Sequence, residues 1–102
     1  MENKKPKNIF VQGPITPSFI SESIQKHSTQ TDIGAHSIFL GQVRSDSING
    51  KTVEGIEYTA YEEMALKQMN EIREAIFEKF ELTCMHVHHS LGLVRSGEIS
   101  LF

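Results

Sequence analysis

The sequence predicts one domain that mixes helices with strands, and three observations carry that expectation. Ala65, Met69, Ile72, Ile76 and Phe80 recur at steps of three and four, the spacing of one helix face. Phe39-Leu40-Gly41-Gln42-Val43-Arg44 is an apolar run that ends in arginine just before a polar turn. Asn49-Gly50 follows, a pair that tolerates positive φ at both positions and so favours a tight hairpin.

The elements follow in order. Ile9-Phe10-Val11 is a short apolar run stopped by Gly13-Pro14, which suits a brief strand. Thr16 offers an N-cap, and Pro17 fits the first helical position because its missing N–H would be unbonded there anyway. Phe19, Ile20, Ile24 and His27 keep helical spacing, so a helix is expected over 17–27, closed by the polar loop 28–32. Gly34 to Val43 places apolar residues on both alternating faces and reads as a strand covered on both sides. Val53 to Tyr61 is then its antiparallel return strand across the Asn49-Gly50 turn.

A long helix is expected over 62–80, with Glu62 and Glu63 in its first turn and Lys79 in its last, matching the helix dipole. Leu82 to Leu91 is strand-like, and Ser96-Gly97 turns the chain into a final strand, Glu98 to Phe102. An apolar strand end needs cover. The expectation is that the natural chain continues beyond Phe102; a covering partner is the alternative.

At 102 residues the chain is one domain at most. The reading assigns residues 1–8 to a flexible tip and 9–102 to the domain. A net charge of −3 argues against nucleic-acid binding through bulk electrostatics. The cluster Lys4, Lys5 and Lys7 beside Pro6 reads as a solvated tail. Cys84 is the only cysteine, so no internal disulfide can form, which fits a reducing, cytoplasmic setting. No apolar run approaches the roughly 18 residues that cross a bilayer, so no membrane contact is expected. The N-terminal lysines lack the apolar stretch of a secretory signal.

Two constellations bear on chemistry. On a strand, Cys84, His86 and His88 would share one face, a pattern that invites a metal. Three ligands in a straight line seldom converge on one ion, and His27 and His36 stand apart in sequence, so no metal site is expected. Cys84 itself reads as a small buried side chain rather than a nucleophile. Glu62 and Glu63 are helix-start charges, and the scattered glycines form neither a P-loop nor a dinucleotide fingerprint. Arg44 differs by position. A guanidinium at the rim of a strand presents a planar fork of donors suited to phosphate or carboxylate. The structural alternative is an ion pair with Glu57 or Asp46.

Taken together, the segments resemble the large, catalytic subunit of molybdopterin synthase, the MoaE family. The matching residues are Gly34-Ala35, then Phe39 to Arg44, like that family's F-x-G-x-V-R, and the Asn49-Gly50 hairpin to Val53. Ile56-Glu57-Tyr58-x-x-Tyr61, running into Met64-Ala65, is similar to its L-E-Y-x-x-Y. His89-x-Leu91-Gly92-x-Val94-x-x-Gly97-Glu98 is similar to its H-R-x-G-x-L-x-x-G-E, with Ser90 where arginine is usual.

The resemblance implies an α+β fold of the α/β-hammerhead type, with an antiparallel or mixed sheet and two main helices. It also implies a homodimer of large subunits, each binding a small ubiquitin-like subunit with a Gly-Gly C-terminus, a heterotetramer in all. The implied activity is transfer of sulfur from that subunit's thiocarboxylate to cyclic pyranopterin monophosphate, a step of molybdenum cofactor biosynthesis that needs no cofactor or metal. Gln42, Val43 and Arg44 match the family's substrate-contacting strand end. The family's His-Arg pair and two catalytic lysines fall beyond Phe102, so no catalytic residue is assigned here. The competing reading is a non-catalytic module that uses the same scaffold for dimerisation and partner docking.

Overall fold

A computed structural model describes residues 8–102. The expected tip at residues 1–8, with its lysine cluster, lies outside the described residues except for Asn8. The described chain is α+β, with two helices and a mixed sheet, as expected. In chain order the elements are β1 (Phe10–Gln12), α1 (Pro17–His27), β2 (Gly41–Gln42), β3 (Ser47–Ile48), β4 (Lys51–Thr52), β5 (Gly55–Tyr58), α2 (Glu62–Lys79), β6 (His89–Arg95) and β7 (Ile99–Leu101).

Local signals placed several elements well. Thr16 caps α1, its Oγ1 accepting from the Phe19 N–H at 3.2 Å, and Pro17 opens the helix. Helix α2 spans the expected range, with Glu62 and Glu63 in its first turn and Lys79 in its last. Asn49 and Gly50 adopt φ of 53° and 75°, the left-handed pair that a two-residue hairpin demands.

The strands that need distant partners differ from the expectation. Asn49-Gly50 joins the two-residue strands β3 and β4, which among the described residues pair only with each other. Only Gly41 and Gln42 of the 34–43 run form a strand, pairing antiparallel with β7 through an irregular register. Far from being covered on both sides, Ile38, Phe39 and Leu40 are exposed, Phe39 by 74%. The physical reason is partnership: the described part of β7 offers ladder groups to two residues of that run and no more. Likewise, β5 does not return along the 34–43 run. It pairs antiparallel with β6, Gly55 opposite Arg95 through Tyr58 opposite Gly92. Finally, 82–88 is irregular, and the strand expected from Leu82 begins only at His89.

Strand β6 therefore organises the sheet. Strand β1 runs parallel along its first half, Phe10 opposite His89 to Gln12 opposite Leu91, and β5 runs antiparallel along its second half. Strand β7 folds back after the turn at Gly97, whose φ of 89° explains the glycine. Among the described residues, the buried apolar ones are Ile9, Ile15, Val43, Leu91 and Val94. Both helices lack a fully buried residue, so the core is one layer thick along β6 and its neighbours. Ser90 is buried completely, and its hydroxyl has no hydrogen-bond partner among the described residues. That is the position where the family motif carries arginine.

Candidate functional site

Strand β2 ends against the turn between β6 and β7. The Val43 N–H donates to the Glu98 carbonyl at 2.9 Å, and the Gly97 N–H donates to the Val43 carbonyl at 2.8 Å. Two motif segments that lie far apart in sequence, 39–44 and 89–98, thus meet through Val43. The three residues singled out from sequence diverge there. Gln42 is exposed, Val43 is buried at 2% exposure with its side chain in the core, and Arg44 points outward.

Arg44 forms the ion pair weighed as its structural alternative. Its Nε lies 2.8 Å from Asp46 Oδ1, and its Nη2 donates to Asp46 Oδ2 at 3.1 Å. The two side chains are 85% and 48% exposed, a setting in which such pairs contribute roughly 0.2–1 kcal/mol. The fork is held in shape but held weakly, so a second anion can compete for it. The Arg95-to-Glu98 turn beside it is tight: the Arg95 N–H donates to Glu98 Oε1 at 2.8 Å, and Ser96 Oγ donates to the Val53 carbonyl at 2.6 Å. Tyr58, from the second motif, points the other way, its hydroxyl 3.1 Å from Ser100 Oγ and its ring edge-on to His89.

A cleft of about 570 Å³ lies elsewhere. Helix α1, the 32–38 stretch and the 81–86 stretch form its walls, and among the described residues neither lysine nor arginine lines it. Here the structure brings together side chains that sequence reasoning had kept apart. Cys84 and His86 do not share a strand face with His88, because 82–88 is not a strand. Instead His27, at the end of α1, reaches His86 with the two Nε2 atoms 2.9 Å apart, and Cys84 completes the group. A separation of 59 residues hid this pair.

His88 turns to the other side, edge-on to Phe19 and stacked on Phe102. Burial against these rings lowers its pKa below the ordinary histidine value. The unfolded chain therefore takes up this proton more readily than the folded one. Stability is expected to fall as pH drops through about 6.5 toward the lowered folded value, and that contribution levels off below it. Denaturation midpoints measured at pH 7.5 and 5.5 check this, with His88→Phe expected to shrink the difference. An unchanged difference in the variant assigns the acid sensitivity to other groups.

Comparison with known proteins places these features in context. The family model described as MoaE protein matches residues 14–102. A protein of Aedes aegypti named molybdopterin synthase catalytic subunit 1 is 45% identical over 69 residues, 67% of this chain and 44% of that one. The catalytic subunit of that name from Pyrococcus abyssi is 37% identical over 95 residues, 93% of this chain and 57% of that one. The one from Aspergillus fumigatus is 36% identical over 76 residues, 74% of this chain and 40% of that one. The chain thus spans about half the length of these relatives, or less. A solved complex of subunits 1 and 2 of molybdopterin-converting factor from Helicobacter pylori shares the fold. Its TM-score is 0.72 at 22% identity, covering 90% of this chain and 59% of that one.

Proposed function

The chain belongs to the MoaE family, and from that premise we propose that it works as the large subunit of a molybdopterin synthase. In this role it receives the thiocarboxylated Gly-Gly tail of a small ubiquitin-like subunit. Sulfur passes from that tail to cyclic pyranopterin monophosphate in the cytoplasm. The observation that carries the reading is the meeting of the two motif segments at Val43, where the Phe39-to-Arg44 run closes onto the Gly97-Glu98 turn. Both reactants are anionic and the chain is acidic overall, so a local cation is required where they meet. Arg44 can supply that cation, because its exposed pairing with Asp46 is weak enough to be exchanged for a phosphate or carboxylate.

Assembly as a homodimer, with one small subunit on each copy, belongs to the same proposal. What supports it is the uncovered apolar surface of this chain. Phe39, Tyr61, Met64, Ile72 and Phe80 are each at least half exposed, apolar area that a subunit interface would cover.

Sulfur transfer is tested by mixing the chain with thiocarboxylated small subunit and cyclic pyranopterin monophosphate and following dithiolene formation. Turnover supports the full enzymatic role. A second reading, a non-catalytic docking module, is favoured by the lack of lysine around the cleft among the described residues. It predicts tail binding without turnover. In either case Arg44→Ala is expected to weaken binding of the phosphorylated substrate roughly fivefold, or ~1 kcal/mol. Equal affinity in calorimetry would remove Arg44 from the site.

A further inference from the structure

His27, Cys84 and His86 play no part in the sulfur-transfer reading, yet they form the tightest group of potential ligands among the described residues. Their donor atoms all lie within 4.8 Å of one another. Two separate elements supply them: His27 closes α1, while Cys84 and His86 come from the irregular stretch between α2 and β6. All three line the cleft of about 570 Å³. We propose that His27, Cys84 and His86 bind a divalent ion of the zinc class, with the fourth position open to the cleft and filled by water.

The donor set argues for the ion. One thiolate and two imidazoles are borderline-soft ligands that suit zinc and disfavour magnesium or calcium, which take oxygen. The orientation of His27 argues for the site. Its Nδ1 lies 2.7 Å from the Ser23 carbonyl. A carbonyl only accepts, so Nδ1 carries the hydrogen and Nε2 presents its lone pair to the group. A backbone carbonyl behind an imidazole is the usual device for aiming a metal ligand. His86 then supplies the hydrogen in the 2.9 Å contact between the two Nε2 atoms. On binding, the ion replaces that hydrogen, His86 takes its other tautomer, and the Cys84 thiol releases its proton to solvent.

The geometry needs little change. Tetrahedral zinc, with bonds of roughly 2.0–2.3 Å, sets ligand-to-ligand edges of roughly 3.3–3.6 Å. The Nε2 pair opens by roughly 0.4 Å and any longer edge closes by roughly an ångström, within the reach of side-chain rotation. Asp32 and His36 line the same cleft, and the His36 ring stands edge-on to His27 with centroids 6.5 Å apart. Both line the cleft without joining the group.

Untagged chain, stripped with chelator, is titrated with zinc against a chromophoric chelator, and separately with cobalt as a spectroscopic probe. The expected result is one zinc per chain and a cobalt spectrum with a thiolate charge-transfer band and the strong visible bands of tetrahedral coordination. Cys84→Ser is expected to abolish the thiolate band. His27→Ala, His86→Ala and Cys84→Ser should each weaken zinc binding at least tenfold, with circular dichroism verifying that each remains folded. His88→Phe, a histidine outside the group, should leave binding unchanged. Zinc lost entirely to the chelator, a cobalt spectrum without a thiolate band, or binding that survives Cys84→Ser would each overturn the site. Because none of these readouts involves sulfur transfer, the proposal stands or falls separately from the functional one.

Discussion

Ile15→Ala is expected to cost about 2–5 kcal/mol of stability, the range for emptying a buried aliphatic site. Ile15 is only 2% exposed and is among the largest fully buried side chains. It also sits at a structural junction. Its N–H donates to the Ile99 carbonyl at 2.8 Å, and the two residues form an isolated antiparallel bridge between the exit of β1 and strand β7. Immediately after it, Thr16 caps α1. A cavity there loosens the sheet and the start of the helix together. Domains of this size hold roughly 5–15 kcal/mol in all, so the loss is a large fraction of the total. Urea denaturation of the variant checks this, and a loss under about 1 kcal/mol would show that the site collapses or is solvated.

Gly55→Ala is expected to destabilise by about 2–3 kcal/mol, toward the upper part of the range for overpacking. A β-carbon at Gly55 would stand 2.8 Å from the Val94 carbonyl, 3.2 Å from Leu93 Cδ1 and 3.3 Å from Arg95 Cα. Two of these three neighbours are backbone of the partner strand and cannot rotate away. Relief requires β5 to pull back from β6, which breaks the ladder from Gly55 to Tyr58. Gly34→Ala is the fitting control. No atom lies within 4 Å of its β-carbon, and its φ lies outside the left-handed region. Equal midpoints for the two variants would mean that β5 is free to shift without penalty.

These two sites also mark what the sequence made legible. The helices, the cap at Thr16, the hairpin residues Asn49-Gly50 and the Ser96-Gly97 turn were all readable, because their signals lie within a few residues of each other. Pairing was not, because a strand needs a partner that its own residues do not name. The alternation over 34–43 looked like a buried strand, but ladder partners reach only Gly41 and Gln42. Nothing within the Val53-to-Tyr61 run marks Gly55, yet its missing side chain is what lets β5 approach β6. The 82–91 run departs from the expected strand for a related reason. Strands β1 and β7 pair with it from His89 onward, and just ahead of that His88 exchanges two backbone hydrogen bonds with Phe102.

The candidate site was legible in part. Gln42, Val43 and Arg44 do lie at a junction of two motif segments, but the pattern could not tell which side chain faces solvent. Val43 fills the core, and Arg44 is met by Asp46 two residues on. A charged strand end needs solvation or a counter-ion, and here it has both. The histidines show the opposite failure. Spacing along a presumed strand suggested Cys84, His86 and His88, while the fold replaced His88 with a residue from α1. His88 went instead to the aromatic pair Phe19 and Phe102, where burial disfavours its charged form.

The reading as a synthase subunit depends on docking a partner's flexible C-terminus, which calorimetry measures directly. Titrating the chain with a small ubiquitin-like subunit should give one partner per chain, with micromolar or tighter affinity. Removing that partner's last two glycines should weaken it at least tenfold. Absence of binding, or equal affinity for the shortened partner, would contradict the account.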